Sequence, residues 1–329
     1  MNNNITGLHH VTALTSDAQQ NIDFYSGILG LRMVKKTVNF DAPDVYHFYY
    51  GNEKGDPGTL LTFFPFRGMP RGRKGTGHVT VTSFSVPENS IDYWMKRLSG
   101  FGIQFRDPAE RFDETFIYLE DQDGTGIELV ANNIDNREGF TYGNIPKEYA
   151  IKGFFSVTLS EKDFRATVGL LTGQMDHRLL TEKNNRYRFS TGSGEAGKLV
   201  DILHLPDSAH GSGGSGTVHH VAFATPDDST QLELRVKLVE GNIVDPTPVI
   251  DRQYFHSIYF REPGGVLFEA ATSDIGMTLD ETPEHLGEDL KLPPWEEKNR
   301  STLEQLLGPV ELNISKFKDH ADIPDSGRR

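Results

Sequence analysis

A short motif with two adjacent histidines occurs twice in this chain, and the repetition constrains the fold more than any other feature. The two copies are Leu8-His9-His10-Val11-Thr12 and Val218-His219-His220-Val221-Ala222. A strand-like run that ends at Glu269 follows the second copy. Matching motifs far apart in a chain indicate an internal structural repeat. Two histidines and one carboxylate at equivalent places in such repeats are typical of a divalent metal site with open coordination positions.

Four similar units can be aligned along the chain, each with a first strand, a helix and further strands. In the first unit, Asp17 is a suitable N-cap for the predicted helix and Gly30 is a suitable stop. The predicted first strands of the four units are Leu8–Leu14, Val79–Val86, Phe154–Leu159 and His219–Ala224. Each unit thus has one helix and several strands.

The last strand of each unit carries a common marker, which is a glycine four residues before a particular position. We expect the side chains at these positions to face the concave side of the sheet, which we call the cup. The four pairs are Gly58 with Thr62, Gly124 with Glu128, Gly197 with Asp201, and Gly265 with Glu269. Because side chains alternate along a strand, equal offsets place these four residues on equivalent faces. The same rule predicts that only one histidine of each adjacent pair enters the cup by simple pleating. His78 is out of register with the ligand strands, and the third unit has no histidine in its first strand.

Composition limits the classes of protein that this chain can represent. Its 329 residues favour two domains, and it contains no cysteine, so a metal would be held by His, Asp or Glu. The net charge of −14 argues against nucleic acid or an anionic membrane as a partner. The chain has no long apolar run and no basic, apolar leader at Met1, so we expect a cytoplasmic protein. A homo-oligomer is compatible with these features.

The repeated units, with a histidine on the first strand and a carboxylate on the last, resemble the vicinal oxygen chelate superfamily. That superfamily includes glyoxalase I, extradiol dioxygenases, and fosfomycin-resistance and bleomycin-binding proteins. The resemblance covers roughly residues 8–272. The two histidine motifs, the stretch from Arg252 to Gly265 and the tail Leu292-Pro293-Pro294-Trp295 are more closely similar to ring-cleaving dioxygenases that open hydroquinones.

The resemblance implies the α+β fold class, with four βαβββ units that form two vicinal-oxygen-chelate-type domains with cupped mixed sheets. We place these domains at residues 1–145 and 150–275, and a C-terminal extension that packs on the core at residues 276–329.

The resemblance also implies the residues of the site. His10, His220 and Glu269 would bind Fe(II), for which Mn(II) is a substitute. The catalytic residues would be His9, His219, Tyr259 and Arg252, and Thr12 would bind the substrate or support the ligands. The implied activity is an Fe(II)-dependent dioxygenase that opens hydroquinone-like or catechol-like diols with O₂.

Thr62 bears on the main alternative, a metal-dependent lyase or isomerase of the glyoxalase type that acts on a thiol-aldehyde adduct. Such an enzyme uses four protein ligands, and Thr62 stands where the fourth ligand, a second carboxylate, would be. Threonine is a poor ligand for a divalent metal, so the sequence favours three ligands and an open face. A non-catalytic binding protein is a third alternative.

Two further features are left open by the sequence. The Gly- and Ser-rich segment Asp207–Gly216 is either a mobile lid or, as we favour, an inter-unit loop. The second cup, with Glu128 and Asp201 but no matching histidines, is expected to be structural.

Overall fold

The computed structural model describes residues 4–141 and 143–318, and each of its four units contributes one helix and four strands. The first unit consists of β1 (Gly7–Thr15), α1 (Ala18–Ile22), β2 (Arg32–Asn39), β3 (Ala42–Gly51) and β4 (Leu60–Pro65). The second consists of β5 (His78–Pro87), α2 (Ile91–Gly100), β6 (Ala109–Arg111), β7 (Glu114–Glu120) and β8 (Gly126–Asn132).

The third unit consists of β9 (Gly153–Glu161), α3 (Arg165–Gly173), β10 (Arg178–Lys183), β11 (Arg186–Ser190) and β12 (Leu199–His204). The fourth consists of β13 (Val218–Thr225), α4 (Asp228–Gly241), β14 (Ile250–Asp251), β15 (His256–Arg261) and β16 (Leu267–Thr272). The helix α5 (Arg300–Leu307) follows in the C-terminal segment.

The strands form two mixed sheets of eight, which confirms the predicted α+β class. One sheet has the order β14-β15-β16-β13-β1-β4-β3-β2, and the other has the order β10-β11-β12-β9-β5-β8-β7-β6. The first and fourth units therefore share one sheet, and the second and third units share the other. Each sheet draws strands from both sides of the predicted boundary between residues 145 and 150, and the domain limits stay a prediction of the sequence.

The predicted marker positions are equivalent in the sheets. In the first sheet, Thr12 of β1 stands beside Thr62 of β4, and Ala222 of β13 stands beside Glu269 of β16. In the second sheet, Glu128 and Asp201 likewise stand beside residues of the parallel first strands, Ser83 and Thr158. The glycine before each last strand has a positive φ, from 82° to 108°, a conformation that glycine adopts without a steric penalty.

Two of the helices, α1 and α4, begin directly after an aspartate that caps them. The Asp17 carboxylate accepts a hydrogen bond from the Gln20 amide at 2.9 Å, and the Asp227 carboxylate accepts one from the Thr230 amide at 2.8 Å. The first helix continues from α1 into a π-helix, Asp23–Ile28, whose apolar side chains are buried. Within the described residues, no helix combines the length and the apolar character that a membrane crossing requires.

No pattern in the sequence predicts the short strands β6, β10 and β14. Each lies at an edge of its sheet, and none of its side chains is buried. An edge strand with mostly exposed side chains needs no alternation of apolar and polar residues. The usual sequence pattern of a strand is therefore absent at these positions.

The glycine-rich segment Asp207–Gly216 is paired with the linker that joins the first two units. The Gly72 amide donates to Ser215 O at 2.9 Å, Arg73 and Ser212 exchange two backbone hydrogen bonds, and the Gly211 amide donates to Thr76 O at 3.0 Å. These bonds give the segment a fixed partner, which is the behaviour of an inter-unit loop.

The C-terminal segment crosses the first unit. Lys35 of β2 is fully buried, and its ammonium group donates to the carboxylates of Asp280 and Glu281. The Tyr46 hydroxyl of β3 donates to Gly308 O at 2.7 Å. Ion pairs and hydrogen bonds thus hold this segment against β2 and β3 between residues 280 and 308. Residues 319–329 of the predicted extension lie outside the described residues.

A buried pair of carboxyl groups joins the third and fourth units. Glu161 ends β9 and Glu262 follows β15, and their exposed fractions are 0% and 2%. The Thr167 hydroxyl of α3 lies 2.8 Å from an oxygen of Glu161 and 2.5 Å from an oxygen of Glu262. A hydroxyl donates only one proton, so the arrangement is satisfied when one carboxyl group is protonated. Burial, and then repulsion from Glu262, raises the pKa of Glu161 to about 8.

We expect Glu161→Gln to stabilise the protein, relative to the wild type, more at pH 8 than at pH 5. The folded state holds a proton that the unfolded chain releases above about pH 4.5, so stability from this group falls as the pH rises toward 8. Glutamine keeps the shape and removes the titration. Between pH 5 and pH 8, the difference in unfolding free energy between variant and wild type should shift by about 3 kcal/mol in favour of the variant.

Urea unfolding at a series of pH values measures this difference. The exposed Glu110→Gln is the matched control, and its curve should run parallel to that of the wild type. A parallel curve for Glu161→Gln as well would show that the carboxyl pair does not hold a proton.

Candidate metal centre

Three side chains from three strands converge at the centre of the first sheet. His10 of β1 and His220 of β13 place their Nε2 atoms 3.2 Å apart, and Glu269 Oε2 of β16 lies 3.2 Å and 2.9 Å from them. All three residues are buried, and they are the group in the described part of the chain whose ligand atoms could hold a metal ion.

The spacing of the three atoms fits one face of an octahedron. Two ligands about 2.1 Å from an ion and at a right angle to each other are about 3.0 Å apart. Glu269 Oε2 also has no hydrogen-bond donor among the described residues, although buried oxygens normally have one. Two imidazole nitrogens and a carboxylate oxygen without a donor together form a suitable cradle for a divalent cation.

A β-bulge in each ligand strand brings the neighbouring histidine to the same site. Pairing between β1 and β13 passes from Leu8–Phe223 directly to His10–Ala222, so His9 is the extra residue. It also passes from Thr12–His220 to Ala13–Val218, so His219 is the extra residue. Simple pleating would turn one histidine of each pair to the other face, and the bulge re-aims it so that it contacts its neighbour.

His9 fixes the tautomer of His10. Its Nε2 lies 3.1 Å from the carbonyl oxygen of Thr272, which can only accept, so Nε2 carries the proton. His9 Nδ1 is then an acceptor for His10 Nδ1, which lies 2.9 Å away. His10 Nε2 is left with a free lone pair that faces the centre, the arrangement that a metal-binding imidazole requires. Burial, and then the neighbouring His10, lowers the pKa of His9 to about 3.

His219 contacts His220 through the Nδ1 atoms, in the same way that His9 contacts His10. The Nδ1 atoms of His219 and His220 are 2.8 Å apart, which leaves His220 Nε2 facing the centre. His219 differs from His9 in its exposure, because it lies on the wall of the adjoining cavity rather than in the core. It is therefore the more accessible of the two supporting imidazoles.

Glu269 is held as an ionised carboxylate. Burial alone would raise its pKa, but attraction by His10 and His220, whose imidazoles are positive when protonated, outweighs burial and holds the pKa well below its usual range. The Ser257 hydroxyl of the adjacent strand donates to Glu269 Oε1 and so orients Oε2 toward the histidines. Ser257 has no signature in the sequence, since its role depends on the pairing of β15 with β16.

Arg252 and Tyr259 lie together beside the centre. Arg252 Nε donates to the Tyr259 hydroxyl oxygen at 3.1 Å, and a terminal nitrogen of Arg252 pairs with Asp41 at 3.0 Å. Burial, and then the charge of Glu269, raises the pKa of Tyr259 far above neutrality. Tyr259 therefore keeps its proton and can donate it toward the cavity.

Thr12 is fully buried and lies beside Thr62 in the pairing of β1 with β4. Its hydroxyl lies 2.8 Å from the Thr62 hydroxyl, which lies 2.9 Å from His47 Nε2. Thr62 occupies the position that corresponds to Glu269, and these two contacts engage its hydroxyl. The Thr62 hydroxyl thus already has two hydrogen-bond partners, Thr12 and His47.

A cavity of about 250 Å³ opens on the two ligand histidines. Its wall is largely aromatic, and His10 lies 5.0 Å from the Phe255 ring, centroid to centroid. Sequence analysis missed the wall residues His47, Tyr49, Phe64 and Phe255, which line the cavity. Alternation along β3 places His47 and Tyr49 on one face, but only the pairing of β3 with β4 shows that this face is the cavity.

The equivalent cup of the second sheet is filled by arginines. Arg111 binds both oxygens of Glu128, at 2.9 Å and 2.8 Å, and Arg188 binds both oxygens of Asp201, at 2.7 Å and 2.9 Å. Paired guanidinium groups satisfy these carboxylates directly. His78 contacts His210 at a distance of 6.3 Å between ring centroids and is not part of the three-ligand group.

Comparison with known proteins places the chain among ring-cleaving enzymes. A sequence model of the Glyoxalase/Bleomycin resistance protein/Dioxygenase superfamily matches residues 7–129. The chain is 41% identical to a Bacillus subtilis protein described as "putative ring-cleaving dioxygenase MhqO", over 93% of this chain and 97% of that protein. It is 35% identical to the chlorohydroquinone/hydroquinone 1,2-dioxygenase of Sphingobium indicum, over 88% of this chain and 92% of that enzyme.

Solved structures agree with this placement. The crystal structure of a Bacillus subtilis protein described as a "putative dioxygenase" has 40% identity to this chain and a TM-score of 0.90. The match covers 95% of this chain and 99% of that one. Glyoxalase I of Zea mays, with 15% identity and a TM-score of 0.61 over 81% of this chain and 92% of that one, shows the fold alone. The chain belongs to the Glyoxalase/Bleomycin resistance protein/Dioxygenase superfamily and, within it, to the family of these ring-cleaving dioxygenases.

Proposed function

We propose that this protein is an Fe(II)-dependent dioxygenase that opens hydroquinone-like aromatic diols with O₂. The observation that carries the proposal is the group of His10, His220 and Glu269, whose open side faces a small aromatic cavity. The names of the 35–41% identical relatives support the same reaction class.

The ligand set favours iron. Two neutral imidazoles and one carboxylate form the facial triad of non-heme Fe(II) oxygenases, and Mn(II) accepts the same ligands. When bound, the ion would lower the pKa of a ring hydroxyl and hold O₂ at an adjacent position, so that the two reactants are close together.

The surrounding side chains supply orientation and protons. Phe40, Phe64 and Phe255 contribute an apolar wall that can hold one aromatic ring and exclude water. The protonated Tyr259 hydroxyl is a donor for oxygen atoms of the substrate or of O₂, and Arg252 places a positive charge beside it. The exposed imidazole of His219 is placed to accept a proton from a ring hydroxyl.

Four-ligand chemistry of the glyoxalase type is disfavoured by the contacts of Thr62. The Thr62 hydroxyl is hydrogen-bonded to Thr12 and to His47. Thr62 also stands where an enzyme of that type would have a carboxylate as its fourth ligand. A lyase or isomerase of that type also does not consume oxygen, so the two functions differ in a measurable way.

Oxygen uptake by anaerobically Fe(II)-loaded protein tests the proposal. We expect about one O₂ to be consumed for each hydroquinone ring lost, with a new absorption band of the ring-opened product. Loss of substrate without oxygen uptake, or turnover of thiol-aldehyde adducts under strict anaerobiosis, would reject the dioxygenase in favour of the glyoxalase-type activity.

Glu269→Gln should abolish both iron retention and oxygen uptake. The amide keeps the size of the side chain but lacks the negative charge that offsets the cation. Iron content after gel filtration, measured beside the rate of oxygen uptake, shows both effects. Glu128→Gln changes the equivalent position of the second sheet and should leave the iron content unchanged. An active, iron-loaded Glu269→Gln variant would refute the proposed ligand.

His9→Phe should weaken iron binding by about 10–100-fold, the range usual for residues that orient a metal ligand. Phenylalanine keeps a ring in the same space but offers no acceptor to His10 Nδ1, so the tautomer of His10 is no longer fixed. Competition with a chelator measures the affinity. The exposed His285→Phe is the control, and equal affinities of the two variants would contradict the role of His9.

A further inference from the structure

Two polar groups on β3 face the cavity without a protein partner. His47 Nε2 is engaged by Thr62 at 2.9 Å, but its Nδ1 has no hydrogen bond to any described residue, and neither has the Tyr49 hydroxyl. The exposed fractions of the two side chains are only 9% and 1%. Both polar groups open on the cavity, and a few polar groups on the wall of a largely apolar cavity orient the ligand that it binds.

The two groups lie away from the three metal-ligand candidates. The strand order is β13, β1, β4, β3, so β3 is separated from the His10 strand by one intervening strand. Neighbouring strands are about 4.8 Å apart, which puts β1 and β3 roughly 10 Å apart. A single aromatic ring with an oxygen at each end spans such a gap when one oxygen is at the metal and the other accepts or donates a hydrogen bond.

The contacts of His47 and Tyr49 hold both rings in place on the wall. Tyr49 is paired across the strands with Thr62, and its ring centroid lies 4.1 Å from that of His47. The Phe64 ring lies 4.3 Å from His47 on the other side. These aromatic contacts fix the orientation of the two polar atoms before a ligand arrives, which reduces the entropy that binding costs.

Both groups are neutral near pH 7. Burial, and then the charge of Tyr259, raises the pKa of Tyr49 well above its usual range, so the phenol keeps its proton. Burial, and then His10, holds the pKa of His47 well below its usual range. When the proton of His47 is on Nε2 and is donated to Thr62, Nδ1 is an acceptor. A donor and an acceptor side by side match a hydroxyl group, which both donates and accepts.

We propose that His47 and Tyr49 bind the hydroxyl that a 1,4-diol presents on the side of the ring away from the metal, and that they thereby select hydroquinones over catechols. The inference rests on the proposed function for the class of substrate. A 1,2-diol has its two hydroxyls side by side, so both lie at the metal end and the pair on β3 stays unsatisfied. Sites built to bind a hydroxyl discriminate strongly against ligands that lack it.

Equilibrium binding under anaerobic conditions tests the inference without turnover. Fe(II)-loaded wild type, Tyr49→Phe and His47→Phe are titrated with hydroquinone, catechol and phenol, which lacks the distant hydroxyl. We expect wild type to bind hydroquinone at least about tenfold more tightly than phenol. Each variant should lose about tenfold in its affinity for hydroquinone and keep the wild-type affinity for phenol.

Tyr46→Phe is the matched control, because its hydroxyl lies on the same strand but bonds Gly308 O. It should leave the ratio of the two affinities unchanged. Equal losses for hydroquinone and phenol in the Tyr49 and His47 variants would reveal a merely structural role and overturn the inference, and so would unchanged affinities.

Oxygen uptake is measured separately with the wild type. Its absence with every diol would defeat the proposed function, whereas the binding ratios still decide whether His47 and Tyr49 recognise the distant hydroxyl.

Discussion

The antiparallel pairing of β1 with β13 is the interaction on which the site depends. It joins the first unit to the fourth, and it brings together histidines that are 210 positions apart in the chain. The two bulges in this pairing, at His9 and His219, turn an adjacent histidine toward each ligand candidate. Without the bulges, alternate side chains would point to opposite faces of the sheet, and each metal-facing imidazole would lack its neighbour.

The two sheets have the same strand arrangement but different side chains at the equivalent positions. Both have the same strand order and the same glycine before the last strand of each unit. In the first sheet, histidines face one carboxylate across an open centre. In the second sheet, arginines bind the carboxylates of Glu128 and Asp201 at both oxygens. The strands place a carboxylate at the same position in each sheet. In the first sheet a cation could bind beside that carboxylate, whereas in the second sheet an arginine side chain already occupies the place.

Burial sets the protonation states around the candidate centre. It keeps the phenols of Tyr49 and Tyr259 protonated and the imidazoles of His9 and His47 neutral, while the histidines hold Glu269 ionised. The carboxylate is therefore the negative group that a cation would meet, and the neighbours are donors and acceptors without charge. Arg252 is the exception, and its charge is shared with Asp41 at the rim of the cavity.

The sequence by itself determined the repeated units and the matched positions of the two histidine pairs and Glu269, because internal repetition is a property of spacing along the chain. Family resemblance indicated the α+β class and pointed to His10 and His220 as the ligand candidates of the two pairs. It also indicated that Tyr259 and Arg252 lie near them. Only the tertiary structure decided that bulges bring His9 and His219 to the same face, and that Ser257, His47 and Tyr49 meet the site. Those positions depend on which strands pair and in what register, and pairing between distant strands leaves no local pattern in the sequence.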